Sequence, residues 1–257
     1  MRRFPILNFK FPISSLLCLL LTLACLRAQE PAPPAPPALT EYKGRTIAQT
    51  MHWTGAEWLL RQNREQEENA ALMIKELKIQ PGWTICDLGC GNGYHSLTMS
   101  AMVGEKGKIL AVDIQQPMLD MLAARAKGRG IANIQTILGA YHDPRLPDAS
   151  CDLILLVDVY HEFSHPEQQL KAMHRALKPG GQVALVEFRA EDEKVPIRPE
   201  HKMSREQIKK EWLPAGFEIA REFDGLPWQH LIFLRKAKTE AAAPAPETAP
   251  VPAPGKK

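Results

Sequence analysis

Residues 87–93 read Asp-Leu-Gly-Cys-Gly-Asn-Gly, and they close a short apolar run that begins at Thr84. The apolar run predicts a strand, and the stretch from Tyr94 to Met102 predicts a helix directly after the glycines. A glycine loop at a helix N-terminus suits a ligand that carries an anionic group. The third glycine of the dinucleotide fingerprint G-x-G-x-x-G comes one residue early, at Gly93, so nicotinamide dinucleotides are disfavoured.

The sequence around this loop repeats one pattern. Between residues 41 and 237, short apolar runs alternate with amphipathic stretches, which predicts successive βα units and a mainly parallel sheet. The predicted strands cover residues 84–88, 108–113, 133–138, 151–157, 182–188, 217–223 and 230–234. The last two strands are expected to form an antiparallel pair. We therefore predict an α/β fold, a doubly wound and mainly parallel seven-stranded sheet with helices on both faces.

Helices are predicted from caps and apolar spacing. Residues 41–80 are interpreted as an N-terminal helical cap over the sheet, and residues 81–237 as the main domain. Two capping boxes, Ser164–Glu167 and Ser204–Gln207, predict helix starts at those positions. The apolar run from Cys151 to Val157 predicts a central strand that is covered on both faces.

The two ends of the chain differ from its middle. Residues 1–28 combine Arg2 and Arg3 with a short apolar run, which predicts a signal peptide and hence an exported protein of the periplasm or cell envelope. The alternative is an uncleaved N-terminal anchor, with the domain on the cytoplasmic face, and a lipoprotein with Cys25 lipidated is also open. An uncleaved or lipidated segment would make the only membrane contact. The Pro/Ala-rich linker, residues 29–40, and the Ala/Pro-rich tail, residues 238–257, cannot form a core.

Charge and cysteine content exclude other classes of protein. The net charge is +3, and the first 28 residues hold four basic and no acidic side chains, so the remainder is close to neutral. This balance does not indicate a nucleic-acid partner. Beyond the signal segment, the three cysteines Cys86, Cys90 and Cys151 have no CxxC spacing, which indicates neither a disulfide framework nor a zinc site.

Several motifs in a fixed order resemble class I (Rossmann-like) S-adenosylmethionine-dependent methyltransferases. The loop at residues 87–93 looks like the first motif of that family, and Asp113 matches the acidic end of its second strand. Later matches are Leu146-Pro147-Asp148, Leu177-Lys178-Pro179-Gly180-Gly181 and Ala215-Gly216-Phe217. The resemblance covers roughly residues 82 to 235 and implies S-adenosyl-L-methionine as the cofactor.

The resemblance assigns cofactor contacts. The residues that it places at the cofactor are Asp87, Gly89, Gly91, Gly93, Asp113, Ile114, Tyr141 and His142. The glycines would let backbone N–H groups approach the methionyl carboxylate, and Asp87 would contact the amino end. Asp113 would accept hydrogen bonds from the two ribose hydroxyls, and Ile114 would pack on adenine. Alternatively, the glycines only make a tight turn and Asp113 caps the next helix.

The residues after Gly139 depart from the commonest pattern of the family. Gly139-Ala140-Tyr141-His142-Asp143 is closer to the G-A-x-x-D form of catechol-type O-methyltransferases, which implies that Tyr141 and His142 lie near adenine. An ordinary loop, with a turn beginning at Asp143-Pro144, is the equal alternative.

Residues 158–163, Asp-Val-Tyr-His-Glu-Phe, follow the predicted central strand and are expected to face the acceptor. His161 is the candidate general base, oriented by Asp158 or Glu162, and Tyr160 could turn its ring toward the sulfonium. The alternative is a solvated loop that caps the next helix. No metal site is predicted, because Phe188 follows Glu187 where catechol-type enzymes would have Asn.

These features predict an S-adenosylmethionine-dependent methyltransferase that acts on a small-molecule acceptor. The alternative is an exported, non-catalytic ligand-binding module that retains the methyltransferase fold. Neither the acceptor nor the oligomeric state follows from the sequence.

Overall fold

The computed structural model describes residues 35–238. The predicted signal peptide and nearly all of the Ala/Pro-rich tail lie outside the described residues. Within the described part, Leu39 donates a backbone hydrogen bond to Ser164, and the carbonyl of Pro36 lies 2.8 Å from the His165 ring. None of the helices among these residues combines the length and apolar character that crossing a membrane requires.

Ten strands form in the described residues. In chain order they are β1 Glu41–Tyr42, β2 Arg45–Thr46, β3 Thr84–Leu88, β4 Lys108–Asp113, β5 Ile134–Leu138, β6 Cys151–Val157, β7 Leu177–Arg189, β8 Lys202–Met203, β9 Phe217–Phe223 and β10 Gln229–Lys236. β1 and β2 form a separate antiparallel hairpin that the sequence analysis did not predict.

The other eight strands form one sheet in the order β5-β4-β3-β6-β7-β10-β9, with the short β8 paired to β7. The five neighbouring strands β5, β4, β3, β6 and β7 are parallel to one another. β10 runs antiparallel to both β7 and β9. The predicted α/β fold with a final antiparallel pair is therefore confirmed. The one difference is β8, which adds an eighth strand to the predicted seven.

Short helices connect and precede the strands. The α-helices are Arg64–Glu68, Ala70–Glu76, Tyr94–Val103, Gln116–Gly128, Pro166–Ala176 and Arg205–Trp212. The 3-10 helices are Trp53–Leu60, Tyr160–Glu162, Pro199–His201 and Leu213–Ala215. The N-terminal cap is helical in three pieces, and Asn69 separates the second from the third, because it takes a left-handed backbone (φ 52°) and caps the third through its side chain.

The two predicted capping boxes have different outcomes. Ser204 caps its helix as predicted, accepting a hydrogen bond from the Gln207 N–H at 3.1 Å. The box at Ser164 is wrong, because the helix begins at Pro166, and His165 occupies the cap position without accepting a hydrogen bond from a helix N–H. Ser164 instead places its hydroxyl 3.0 Å from His165 Nδ1.

Two apolar clusters cover the two faces of the sheet. Along β6, Leu153 and Leu155 pack into one cluster, whereas Ile154 and Leu156 pack into the other. β6 lies between β3 and β7, so the predicted central strand is confirmed. Because helices cover both faces, ligands have access at the ends of the strands rather than on the faces.

Candidate active site

A cleft opens at the carboxyl ends of β3, β4 and β6, where the strand order reverses direction. The space that it encloses is small, about 120 Å³, and the cleft opens to solvent at its mouth. A cleft at such a reversal point is the usual ligand position in an open parallel sheet.

The glycine loop forms one wall of this cleft through Gly89 and Gly91. Both have left-handed backbones (φ 80° and 52°). A Cβ on Gly89 would lie 2.5 Å from Val159 Cγ2, and one on Gly91 would lie 2.8 Å from Leu59 Cδ1. Neither position has room for a side chain, because the side chains of Val159 and Leu59 already pack against the loop.

The loop N–H groups are already used within the protein. Gly89 and Cys90 both donate to the Val112 carbonyl, at 2.8 and 2.9 Å, and Gly91 donates to Asp113 Oδ2 at 2.9 Å. The expectation that these glycine N–H groups are set aside for the cofactor carboxylate does not match this pattern. The loop contributes shape, and its hydrogen bonds fasten it to the end of β4.

Asp113 lies at the centre of this arrangement. Its Oδ1 accepts a hydrogen bond from the Gln115 N–H at 2.8 Å, opposite the bond from Gly91 to Oδ2. Burial raises the pKa of Asp113, and the backbone N–H groups around it act in the opposite direction. Each oxygen keeps a further lone pair, so the carboxylate can still accept two hydroxyl donors. Ile114 lines the cleft beside it, and the family resemblance predicts that adenine packs there.

Of the four other predicted cofactor contacts, only Tyr141 lines the cleft. Tyr141 lines the cleft and is 53% exposed, but His142 is not among the lining residues and packs against the His165 ring. Asp87 is buried below the loop, where its carboxylate accepts a hydrogen bond from the Ser96 hydroxyl at 2.5 Å. Burial raises the pKa of Asp87 to about 6. Gly93 begins the helix Tyr94–Val103 and does not line the cleft.

A segment before the first helices covers the cleft. Residues 51–60 reach over the glycine loop, and Met51 and Leu59 line the cleft. Gln115 fastens this segment at one end, because its amide accepts from the Trp53 N–H at 2.8 Å and donates to the Met51 carbonyl at 2.9 Å. Gln115 carries no motif that would mark it in the sequence, although it lies only two residues after Asp113.

Asp158 and Glu162 supply two carboxyl groups to the cleft. Asp158 has a left-handed backbone (φ 50°), which is a strained conformation for aspartate. Its Oδ2 accepts a hydrogen bond from Gln229 Nε2 at 3.1 Å, and its Oδ1 has no partner among the described residues. Burial, reinforced by Glu68 and Glu187, holds the pKa of Asp158 well above its usual range. Burial raises the pKa of Glu162 to about 7.

The predicted role of Tyr160 is wrong. Its ring is fully buried against Trp212, with 5.0 Å between the ring centroids. Its hydroxyl donates a hydrogen bond to Glu211 at 2.7 Å. The ring therefore lies in the core and does not face the cleft.

His161 is also placed differently from its predicted role as a base in the cleft. It is 2% exposed, with Nδ1 lying 2.6 Å from Glu187 Oε2 and Nε2 lying 3.0 Å from His201 Nδ1. Glu187, rather than Asp158 or Glu162, orients the ring. Burial lowers the pKa of His161, but the Glu187 carboxylate outweighs this effect and leaves the pKa above its ordinary value.

Comparison with known proteins supports the family assignment. Residues 85–181 match the family model of a methyltransferase domain. The ubiquinone/menaquinone biosynthesis C-methyltransferase UbiE of Escherichia fergusonii is 32% identical over 111 residues, 43% of this chain and 44% of that protein. The same enzyme of Shewanella sp. strain ANA-3 is 29% identical over 127 residues, 49% of this chain and 47% of that protein. The chain thus spans less than half the length of these curated relatives.

A solved structure extends the similarity across nearly the whole domain. The structure of a SAM-dependent methyltransferase from Aquifex aeolicus superimposes with a TM-score of 0.67 and 24% identity, covering 72% of this chain and 98% of that one. At this identity the likeness concerns the fold. Residues 85–181, which hold the glycine loop and Asp113, therefore match a methyltransferase domain, and the fold of the chain is similar to that of a solved SAM-dependent methyltransferase.

Proposed function

We propose that this protein transfers a methyl group from S-adenosyl-L-methionine to a small-molecule acceptor. The observation that carries the proposal is the single cleft that brings together the glycine loop, Asp113 and two carboxyl groups at the carboxyl ends of the strands. The alternative of an exported module without catalytic activity finds no support in the comparisons.

The residues of the cleft fit the chemical groups of the cofactor. Asp113 retains acceptor capacity for a ribose diol, and Gly89 and Gly91 line the same cleft. Asp158 offers a buried oxygen that no other described residue uses, which suits the positive charge of a sulfonium. When bound, the cofactor supplies an activated methyl group on its sulfonium.

The chain's own residues would contribute alignment, exclusion of water and a proton acceptor. Methyl transfer is a displacement at carbon, so holding the acceptor in line is the main requirement. Residues 51–60 cover the cleft and limit access of water. Asp158 is the proposed proton acceptor, because a cationic cofactor beside a buried carboxyl group favours its charged form. In this proposal it replaces His161, whose two ring nitrogens both have partners.

A quinone-related aromatic acceptor is the first to test. The matched relatives are named for quinone biosynthesis, and the cleft presents apolar side chains, Met51, Leu59 and Phe163, that suit an aromatic ring. Full-length protein assayed with a panel of hydroquinones, phenols and amines should release S-adenosylhomocysteine with at least one of them.

Calorimetry tests cofactor binding, on which the proposal depends. The full chain should bind S-adenosylhomocysteine and should not bind nicotinamide dinucleotides. The Asp158→Asn variant should keep that affinity within about threefold, a difference of under about 1 kcal/mol, and lose about 10²- to 10⁴-fold in kcat. Absence of S-adenosylhomocysteine binding would refute the proposed activity, and an unchanged kcat in the variant would refute the role of Asp158.

A further inference from the structure

Three potential ligand side chains meet where two short 3-10 helices, Tyr160–Glu162 and Pro199–His201, lie together. His161, Glu162 and His201 each offer one donor atom, and these three atoms lie within 4.8 Å of one another. The two imidazole nitrogens that face each other, His161 Nε2 and His201 Nδ1, are 3.0 Å apart. This grouping is separate from the glycine loop and Asp113.

A buried carboxylate fixes the orientation of His161. Glu187 Oε2 lies 2.6 Å from His161 Nδ1, and Oε1 accepts the backbone N–H groups of Tyr160 and His161 at 2.8 and 3.3 Å. A carboxylate in this position accepts the Nδ1–H proton, so the Nε2 lone pair points toward His201. A carboxylate hydrogen-bonded behind an imidazole is the usual outer support of a metal-binding histidine.

The cluster can be reached from outside. His201 is partly exposed and lines a surface pocket together with Arg45 and Lys202. Glu162 lines the cofactor cleft. An ion can therefore enter without unfolding the core, and the third ligand reaches the edge of the cleft.

We propose that His161 Nε2, His201 Nδ1 and the Glu162 carboxylate bind one divalent transition-metal ion, with zinc the best match. Two imidazoles and one carboxylate are a recognised ligand set of zinc sites that keep a fourth position open. Magnesium and calcium prefer sites made of oxygen ligands alone, so two imidazoles argue against them. The sequence analysis did not predict this site, because His201 lies 40 residues from His161.

The position of the metal site also indicates a role in methyl transfer. Because Glu162 borders both the cluster and the cleft, an ion there would lie at the edge of the cleft and could polarise a hydroxyl or thiol acceptor. This role rests on the proposed methyl transfer, whereas binding of the ion does not.

The test measures binding of the ion without cofactor. Full-length protein is stripped with a chelator and titrated with Zn²⁺ alone by calorimetry and with Co²⁺ alone by visible absorption. We expect one ion per chain, and at least a 100-fold loss of affinity in the His201→Ala variant. Glu187→Gln should weaken binding about 10- to 100-fold, because the amide favours the wrong His161 tautomer. His174→Ala, at a partly exposed histidine that packs on Phe217, is the matched control and should bind like the unmodified protein.

Circular dichroism establishes that each variant is folded before its affinity is compared. The proposal is overturned if the stripped protein takes up no more ion than the His201→Ala variant, or if His174→Ala weakens binding as much as His201→Ala does. Binding of S-adenosylhomocysteine without metal uptake would refute only the metal site. Metal uptake without methyl transfer would support the site and refute only the proposed activity.

Discussion

Substitution of Gly89 by alanine tests the geometry of the cofactor loop. The residue has φ 80°, and left-handed backbone costs roughly 1–2 kcal/mol for a residue with a side chain. The new Cβ would also lie 2.5 Å from Val159 Cγ2, whereas carbon atoms pack at about 3.5–4.0 Å, so a displacement of about 1 Å is needed. Such overpacking typically costs about 1–3 kcal/mol. We therefore expect Gly89→Ala to lower the free energy of unfolding by about 2–5 kcal/mol.

Gly82 offers a matched control for this experiment. Its φ of 87° imposes the same backbone cost, but no atom lies within 4 Å of the Cβ position. Gly82→Ala should therefore cost only about 1–2 kcal/mol. Adding Val159→Ala to Gly89→Ala should recover part of the difference, because the nearest contact atom is removed.

The assays are urea denaturation for stability and calorimetry with S-adenosylhomocysteine for the site. A loop displaced by about 1 Å should bind this ligand at least about tenfold more weakly, a loss of about 1.4 kcal/mol, whereas Gly82→Ala should bind it normally. The reasoning is refuted if Gly89→Ala is no less stable than Gly82→Ala and binds the ligand equally well.

Three further predictions concern the acids and the N-terminus. In Asp113→Asn, the new NH₂ group faces one of the two backbone N–H donors, so S-adenosylhomocysteine should bind about 10- to 100-fold more weakly. Asp120→Asn, on an exposed helix face, is the control and should bind normally. Equal affinities of the two variants in calorimetry would contradict the prediction. The raised pKa of Asp87, about 6, stabilises the fold at low pH and loses that contribution as pH rises through 6. Asp87→Asn should therefore gain about 2 kcal/mol relative to the unmodified protein between pH 4 and 7.5, and a constant difference in urea denaturation would refute it. Residues 1–28 predict export, so cell fractionation should find the protein in the periplasm or envelope, and recovery in the cytoplasm would disprove it.

Local patterns of apolar residues were sufficient to predict the main strands of the sheet. The apolar runs at β3, β4 and β6 each contain enough residues to show which faces are buried, and their order predicted the parallel sheet. The hairpin β1–β2 and strand β8 were missed because two-residue strands carry no periodicity. Their pairing depends on partners that only the folded chain brings alongside.

The residues after β6 show where sequence reasoning ends. Tyr160, His161 and Glu162 form one 3-10 turn, in which consecutive side chains point about 120° apart. Tyr160 therefore meets Glu211, His161 meets Glu187, and Glu162 reaches the cleft. A three-residue turn has no repeat from which these directions can be read.

The sequence by itself determined the glycine loop, the position of Asp113 and the resemblance to methyltransferases, because these depend on residues close together along a strand, a turn and a helix. Only the tertiary structure decided which carboxyl groups enter the cleft and that His201 meets His161. The physical reason is that these contacts join separate loops, and packing of the whole sheet sets the distance between them.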